Sequence, residues 1–194
     1  MKKMHTNAYY ESNYSLSLYE DTQIARHAHK ANKQRNIDFY ETVCGILKTI
    51  EPSLIGKEMI CLGTRNNWER NSFRTLLDTS SVYSLDIAPA SQADFIYNFN
   101  ELPVDWNGKW DIIYSNALDH CVNATQSFLN WVQVLKKGGI LILGLKLDIS
   151  SEVSKADCCS FSSESILSFL QAQKSIKILR EDHSGYSHYF LKKI

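Results

Sequence analysis

The chain has 194 residues, of which 44% are hydrophobic and 22% charged, enough apolar material for one sizeable core and too much for a disordered chain. Lysine plus arginine and aspartate plus glutamate number 21 each, so the basic excess of a dedicated nucleic-acid binder is missing. No apolar run reaches the ~20 residues that span a bilayer, and the opening MKKMHTNAYYESNYS has no apolar stretch behind its lysines, so no secretory leader is expected.

Residues 1–20 are polar with interspersed Tyr9, Tyr10, Tyr14 and Tyr19 and read as an N-terminal arm or lid; residues 21–194 read as a single domain. Over 21–49 the apolar positions Ile24, Ala28, Ala31, Ile37, Tyr40, Val43, Ile46 and Leu47 recur mostly every three or four residues, which predicts helix, with Asp21 or Thr22 as cap. Pro52 and Gly56 close that region. The period then changes. Short apolar runs at 58–62, 82–85, 95–97, 111–114, 140–143, 176–179 and 188–191 predict strands.

Three helical stretches lie between them. They are 69–77 (Phe73, Leu76 and Leu77 inward), 124–135 (Phe128, Leu129, Val132 and Leu135 inward) and 163–173, capped by Ser162 or Ser163, with Ile166, Leu167 and Leu170 inward. Continuous apolar strands alternating with helices predict a parallel sheet covered on both faces. EDHSGYS, joining the last two strands, is short enough for an antiparallel hairpin. Only eight residues separate Asp86 from Phe95, fewer than the ~12 of a parallel crossover. Either the 95–97 run is a poor edge strand or the usual helix is reduced to a turn, which Pro89 favours. The five cysteines have no C-x-x-C spacing and read as reduced thiols of a cytoplasmic protein.

In an open parallel sheet, ligands bind where loops leave the carboxyl ends of the strands. Those ends carry Gly63, Asp86, Ser115, Asn116 and Gly144. A carboxylate after the second strand can accept both hydroxyls of a ribose; Asp86 is such a group or simply a turn residue.

The segments CLGTRNNWER, YSLDI, NFNELP, WDIIYSNALDH and VLKKGGILIL resemble class I S-adenosylmethionine-dependent methyltransferases, over roughly residues 37–194. The resemblance implies an α/β, Rossmann-like fold: a mostly parallel seven-stranded sheet, an antiparallel C-terminal hairpin and helices on both faces. It implies S-adenosylmethionine as cofactor. The glycine loop departs from the family's three glycines, keeping Gly63 alone before Thr64, Arg65, Asn66 and Asn67. Arg65 could clasp the cofactor carboxylate, with Glu69 answering the cofactor ammonium or holding Arg65. Otherwise the two form an ordinary surface pair in the first turn of a helix, or the pocket no longer binds cofactor. By the same resemblance Asp86 takes the ribose, Asn98 the adenine edge, Phe99 and Ile87 the faces of the base, and Ser115 with Asn116 the floor under the sulfonium. Gly138 and Gly139 supply the backbone freedom to leave a helix and enter a strand.

Methyl transfer to a hydroxyl is helped by a base. The resemblance points to His120 as that base, with Asp119 orienting it or binding substrate; the alternative is a packed His120 and an Asp119 that caps the next helix. Asp148 with Asp119 is a weak metal pair, and no metal site is assigned. His183 and His188 flank the last turn and either could reach the same mouth, though exposed hairpin residues are the plainer reading, and Cys121, Cys158 and Cys159 receive no catalytic role. The N-terminal tyrosines, residues 146–161 and Trp106 are candidates to cover the mouth. The reading is O-methylation of a small-molecule or glycan (sugar) hydroxyl, without nucleic acid or membrane partners and with oligomeric state open. The alternative is a catalytically silent binding or scaffold domain; a nicotinamide enzyme is disfavoured by the absence of G-x-G-x-x-G.

Overall fold

Seven strands form one sheet, in the spatial order β4 (Phe95–Ile96), β3 (Val82–Asp86), β2 (Met59–Leu62), β5 (Trp110–Ser115), β6 (Leu135–Leu145), β9 (Ser187–Lys193), β8 (Ile176–Asp182). The computed structural model describes residues 5–6, 16–30, 36–147, 157–183 and 186–194, with the side chains of the first helix described over 18–26. The central strands β2 (Met59–Leu62), β3 (Val82–Asp86) and β5 (Trp110–Ser115) run parallel, and β6 (Leu135–Leu145) joins them in the same direction. Their side chains divide strictly by parity, because alternate residues of a strand face opposite sides. Ile60, Leu62, Ile113, Leu141 and Leu143 enter one core with Phe128 and Trp131 of α4 (Ala124–Val134) and Ile166 and Leu170 of α5 (Ser163–Gln171). Met59, Cys61, Ile112, Tyr114, Ile140 and Ile142 enter the other with Tyr40, Val43 and Leu47 of α2 (Ile37–Ile50) and Phe73 and Leu77 of α3 (Trp68–Leu77). Two covered faces explain why these strands read as unbroken apolar runs. Each fully buried Leu or Ile contributes ~1.5–3 kcal/mol.

The helical region expected over 21–49 is two helices. Asn36 caps α2 by accepting from Asp38 N at 3.3 Å. The first, α1 (Leu16–Lys30), starts before the expected cap at Asp21 or Thr22. Its buried stripe is Tyr19 (0% exposed) and Gln23 (3%), one turn apart, while Ile24 is 37% exposed. The inward face is therefore partly polar, which an apolar-period reading misses. Ala31, Tyr9, Tyr10, Tyr14 and Asp148 lie outside the described residues, and a short strand β1 (His5–Thr6) pairs antiparallel with β7 (Cys159–Ser160). No described helix is long and apolar enough to cross a membrane.

The short link after β3 meets both alternatives expected of it: Pro89–Ser91 is a single 3-10 turn and β4 (Phe95–Ile96) is a two-residue parallel edge strand. At the other edge, β9 (Ser187–Lys193) lies antiparallel between β6 and β8 (Ile176–Asp182). Ser162 and Ser165 close a capping box on α5. Leu129, expected inward on α4, is 38% exposed, and Trp131 takes the inward position instead. Leu135 is buried, but as the first residue of β6.

Gly138 and Gly139 act differently from the expected helix exit. The strand begins directly at Leu135, and the pair sits in an irregularity where Trp110 faces Leu135 and Ile112 faces Ile140. Gly138 has φ +82 with open space around it; a Cβ on Gly139 would lie 2.8 Å from the backbone oxygen of Asp111 and 3.0 Å from that of Lys136. Gly139→Ala is expected to cost ~1–3 kcal/mol, because backbone on both sides cannot yield. A thermal melt should show a loss of ~2–10 °C.

Candidate functional site

The site grows from the carboxyl ends of β2, β3 and β5. After β2 the chain turns at Gly63, whose amide donates to Leu85 O at 2.8 Å. A Cβ there would lie 2.9 Å from Ala117 Cβ and 3.3 Å from Phe99 Cε1, so glycine is required for the strand ends to close up. Left-handed backbone recurs at alternate positions: Gly63 (φ 77), Arg65 (φ 51) and Asn67 (φ 59). The conformation that glycines adopt without strain is thus retained by an arginine and an asparagine. Side-chain hydrogen bonds hold it in place. Asn67 Nδ2 donates to Ser91 O (3.2 Å) and Gln92 O (2.7 Å), and Thr64 Oγ1 donates to Asn67 Oδ1 at 3.4 Å. The amide of Arg65 donates to Asp86 Oδ2 at 2.8 Å.

Arg65 precedes α3, and Glu69 lies in the first turn of that helix. Glu69 is buried (8% exposed) and its Oε1 accepts from Asn116 Nδ2 at 3.3 Å. A left-handed non-glycine residue costs ~1–2 kcal/mol. Arg65→Gly is therefore expected to raise the melting temperature by ~2–4 °C, read by calorimetry.

Asp86 is fully buried. Oδ2 takes the Arg65 amide and Oδ1 the Ala88 amide, both at 2.8 Å, which fixes the plane of the carboxylate. Each carboxylate oxygen can accept more than one hydrogen bond. Beside it a cleft is lined by Gly63, Arg65, Ile87, Phe99, Asn116 and His120. Gln23 of α1 and Ala117 complete its wall. Asn98 stands apart: its Oδ1 accepts from the amide of Asn100 (3.0 Å) and its Nδ2 donates to Glu20 of α1 (3.3 Å). Phe99 (5% exposed) meets both cleft and core, with its ring edge-on to Trp131 and its carbonyl accepting from the Trp131 indole at 2.7 Å. Ser115 is fully buried; its hydroxyl donates to Leu62 O (3.3 Å) and accepts from Ala117 N (3.2 Å), so it braces two strand ends and does not line the cleft.

His120 ends the 3-10 turn Leu118–His120. Its Nδ1 lies 3.0 Å from Asp157 Oδ1, whereas its Nε2 is 3.8 Å from Asp119 Oδ1. The nearest carboxylate to the imidazole is therefore Asp157, which the sequence reading did not single out. Asp157 also receives Arg26 of α1, Nη1 to Oδ1 at 2.8 Å and Nη2 to Oδ2 at 3.1 Å. The hydrogen bond from His120, then that from Arg26, hold the Asp157 carboxyl well below the usual range. Asp119 shifts the other way, raised by burial. Its side chain is a third exposed (33%), yet Oδ1 is enclosed and accepts no hydrogen bond from the described residues. Asn123, not Asp119, caps α4. Asp119, His120 and Asp157 bring ligand-type atoms within 4.8 Å of one another. Arg26 already supplies a cation there, so the cluster is an ion-pair network.

Two expectations about the mouth change. Trp106 is 7% exposed and packs edge-on against Phe95 and Trp110, away from the cleft lining. His188 is 2% exposed: its neighbours in the sheet are Gly144 and Asp182, and its ring meets Phe39. His183 does sit at the surface, with Nδ1 3.0 Å from Ser187 Oγ. Burial pushes the thiol of Cys158 up to about 12 and that of Cys159 to about 11, and raises Cys121 well above its ordinary value. These groups stay protonated and unreactive near neutral pH.

The cleft lining offers chemistry that fits an adenosyl group, an aromatic ring (Phe99), an aliphatic face (Ile87) and an arginine (Arg65), with the oriented Asp86 carboxylate buried behind the lining. The space between them is ≈ 30 Å³, against the several hundred that a ligand pocket usually offers. Helix α1 bounds this space, with Gln23 in the wall and the Glu20–Asn98 and Arg26–Asp157 contacts holding the helix to neighbouring elements.

No known sequence-family profile and no curated protein sequence matches the chain. Solved structures do. A Burkholderia thailandensis 1,6-didemethyltoxoflavin-N1-methyltransferase, with bound 1,6-didemethyltoxoflavin and S-adenosylhomocysteine, is 11% identical over 98% of this chain and 92% of its own, with TM-score 0.61. An S-adenosylmethionine-dependent methyltransferase from Mesorhizobium loti is 13% identical over 77% and 96%, with TM-score 0.57. The [4+2]-cyclase SpnF is 12% identical over 79% and 81%, with TM-score 0.59. With its mostly parallel seven-stranded sheet, reversed C-terminal strand and helices on both faces, the chain has the fold of the class I S-adenosylmethionine-dependent methyltransferases.

Proposed function

We propose that the chain is an S-adenosylmethionine-dependent methyltransferase that methylates a hydroxyl of a small molecule or glycan. The observation that carries this is His120 on the wall of the same cleft as Gly63, Arg65, Ile87 and Phe99, with its Nδ1 3.0 Å from Asp157 Oδ1. A histidine whose Nδ1 faces a carboxylate presents Nε2 as the basic nitrogen. The bound sulfonium donor supplies an already activated methyl group. The chain then has to align the acceptor, exclude water and take its proton.

Asp86 would hold the ribose hydroxyls, Phe99 and Ile87 the faces of the adenine, and Arg65 the methionine carboxylate; Asn98 would reach the adenine edge only on releasing Glu20 of α1. Asn116, tied to Glu69 and Tyr114, would stiffen the floor where donor and acceptor meet. The nearby solved structures include an N-methyltransferase and a cyclase, so the hydroxyl acceptor rests on His120 alone. A second reading, a silent binding module, is favoured by one feature: α1 leaves a cleft of only ≈ 30 Å³.

Calorimetric titration with S-adenosylmethionine and S-adenosylhomocysteine separates the two. Binding of both, followed by methyl transfer from labelled donor to members of a saccharide and phenol panel, is expected, unchanged by chelator. Absence of binding at millimolar donor would leave the silent module.

A further inference from the structure

Arg26, Asp157 and His120 form a chain of contacts that joins the covering helix to the cleft. Arg26 belongs to α1, the helix whose Gln23 closes the cleft wall. It grips both oxygens of Asp157 at 2.8 and 3.1 Å, and Oδ1 of that carboxylate lies 3.0 Å from His120 Nδ1. One carboxylate therefore serves two partners on separate elements. An isolated carboxylate beside an imidazole favours the imidazolium, which cannot act as a base. A guanidinium on the same carboxylate offsets part of that charge and repels a second cation.

We propose that Asp157 is a positioning residue for His120 and that Arg26 ties it to α1, so that the imidazole is kept as a neutral, oriented base only while α1 lies over the cleft. This rests on the reading of His120 as the base. When α1 lifts to admit a donor, the Arg26–Asp157 pair parts and Asp157 is left to draw a proton onto His120. When α1 returns, Arg26 reclaims its share of the carboxylate and the imidazole proton leaves to solvent. Proton removal from the acceptor is then confined to the closed, water-poor state. Among the described residues, Asp119 on the same turn lies 3.8 Å from His120 Nε2, and Arg65 lines the same cleft.

The two substitutions must act with opposite sign. Asp157→Asn removes an anion and should weaken proton binding by the His120 ring about tenfold; Arg26→Gln removes a cation and should strengthen it several-fold. Ring-proton and ring-nitrogen NMR titrations of the full-length chain read both effects. Asp157→Glu should restore the wild-type midpoint, and the Arg26→Gln effect should shrink in the Asp157→Asn background. The acid limb of the kcat–pH profile should move the same way in each variant, with the loss in kcat exceeding any change in donor KM. A role in folding alone would lower Tm without moving the His120 midpoint in opposite directions.

Should Asp157→Asn fail to fold, Arg26→Gln and Asp157→Glu still decide the matter. A His120 midpoint that does not rise in Arg26→Gln, or that moves as far in Asp157→Glu as the tenfold expected of Asp157→Asn, in a chain that binds donor, would overturn the coupling and leave the methyltransferase reading standing. A wild-type chain that binds no donor would overturn the methyltransferase reading, whatever the titrations give.

Discussion

Asp86→Asn is expected to remove detectable donor binding and to lower the melting temperature by ~5–15 °C. Both effects have one origin. The Asp86 carboxylate is fully buried and accepts the amides of Arg65 and Ala88, each at 2.8 Å. An asparagine turns an NH2 group toward one of those donors, which weakens the first turn after β2 and the link after β3 together. A charge-assisted hydrogen bond contributes ~1.5–3 kcal/mol, so losing two to a ribose means affinity at least ~100-fold weaker. Titration below the melting transition keeps the two effects apart. Binding at wild-type affinity in a folded Asp86→Asn chain would remove Asp86 from the donor site.

His120→Ala is expected to lower kcat by ~10²–10⁴-fold, the usual worth of a general base, while donor affinity changes by less than about threefold. The imidazole is already partly exposed at 18%. Asp157 keeps Arg26 as its partner after the truncation, so that carboxylate is not orphaned, and the fold should persist; Asp119 loses the imidazole 3.8 Å from its Oδ1. Single-turnover kinetics with labelled donor checks the chemical step directly. Unchanged turnover would end the base assignment and shift the acceptor toward a group that needs no deprotonation. Arg65→Gly adds a useful contrast. Its backbone relief predicts a more stable chain that binds donor ~10–100-fold more weakly, since the guanidinium partner of the cofactor carboxylate is lost.

Much of the sheet is legible because strands buried on both faces have no polar alternation to hide them. Met59–Leu62 and Trp110–Ser115 are such runs, and the Asp86–Phe95 spacing correctly leaves room for a turn and a minimal edge strand. Helix α1 is less legible. Its buried face pairs a tyrosine with a glutamine, Tyr19 and Gln23, so hydrophobic period places its start too late and turns Ile24 the wrong way. Composition could not show that the loop after β2 keeps left-handed geometry at Arg65 and Asn67. The compensation lies in contacts with Ser91, Gln92 and Asp86, two of which belong to the following loop.

The sequence by itself marked the seven strands of the main sheet, the antiparallel pairing of the last two, and the residues at the carboxyl ends of β2, β3 and β5. Those properties follow from local periodicity and from where turns must fall. Only tertiary structure decided which carboxylate serves His120, that Ser115 braces strands instead of lining the cleft, that His188 is buried, and that α1 closes the cleft with Arg26 on Asp157. Hydrogen bonds and ion pairs between segments far apart in the chain leave no period in the sequence. They are fixed by the packing of both sheet faces, which brings α1, the turn at His120 and the approach to β7 to one point.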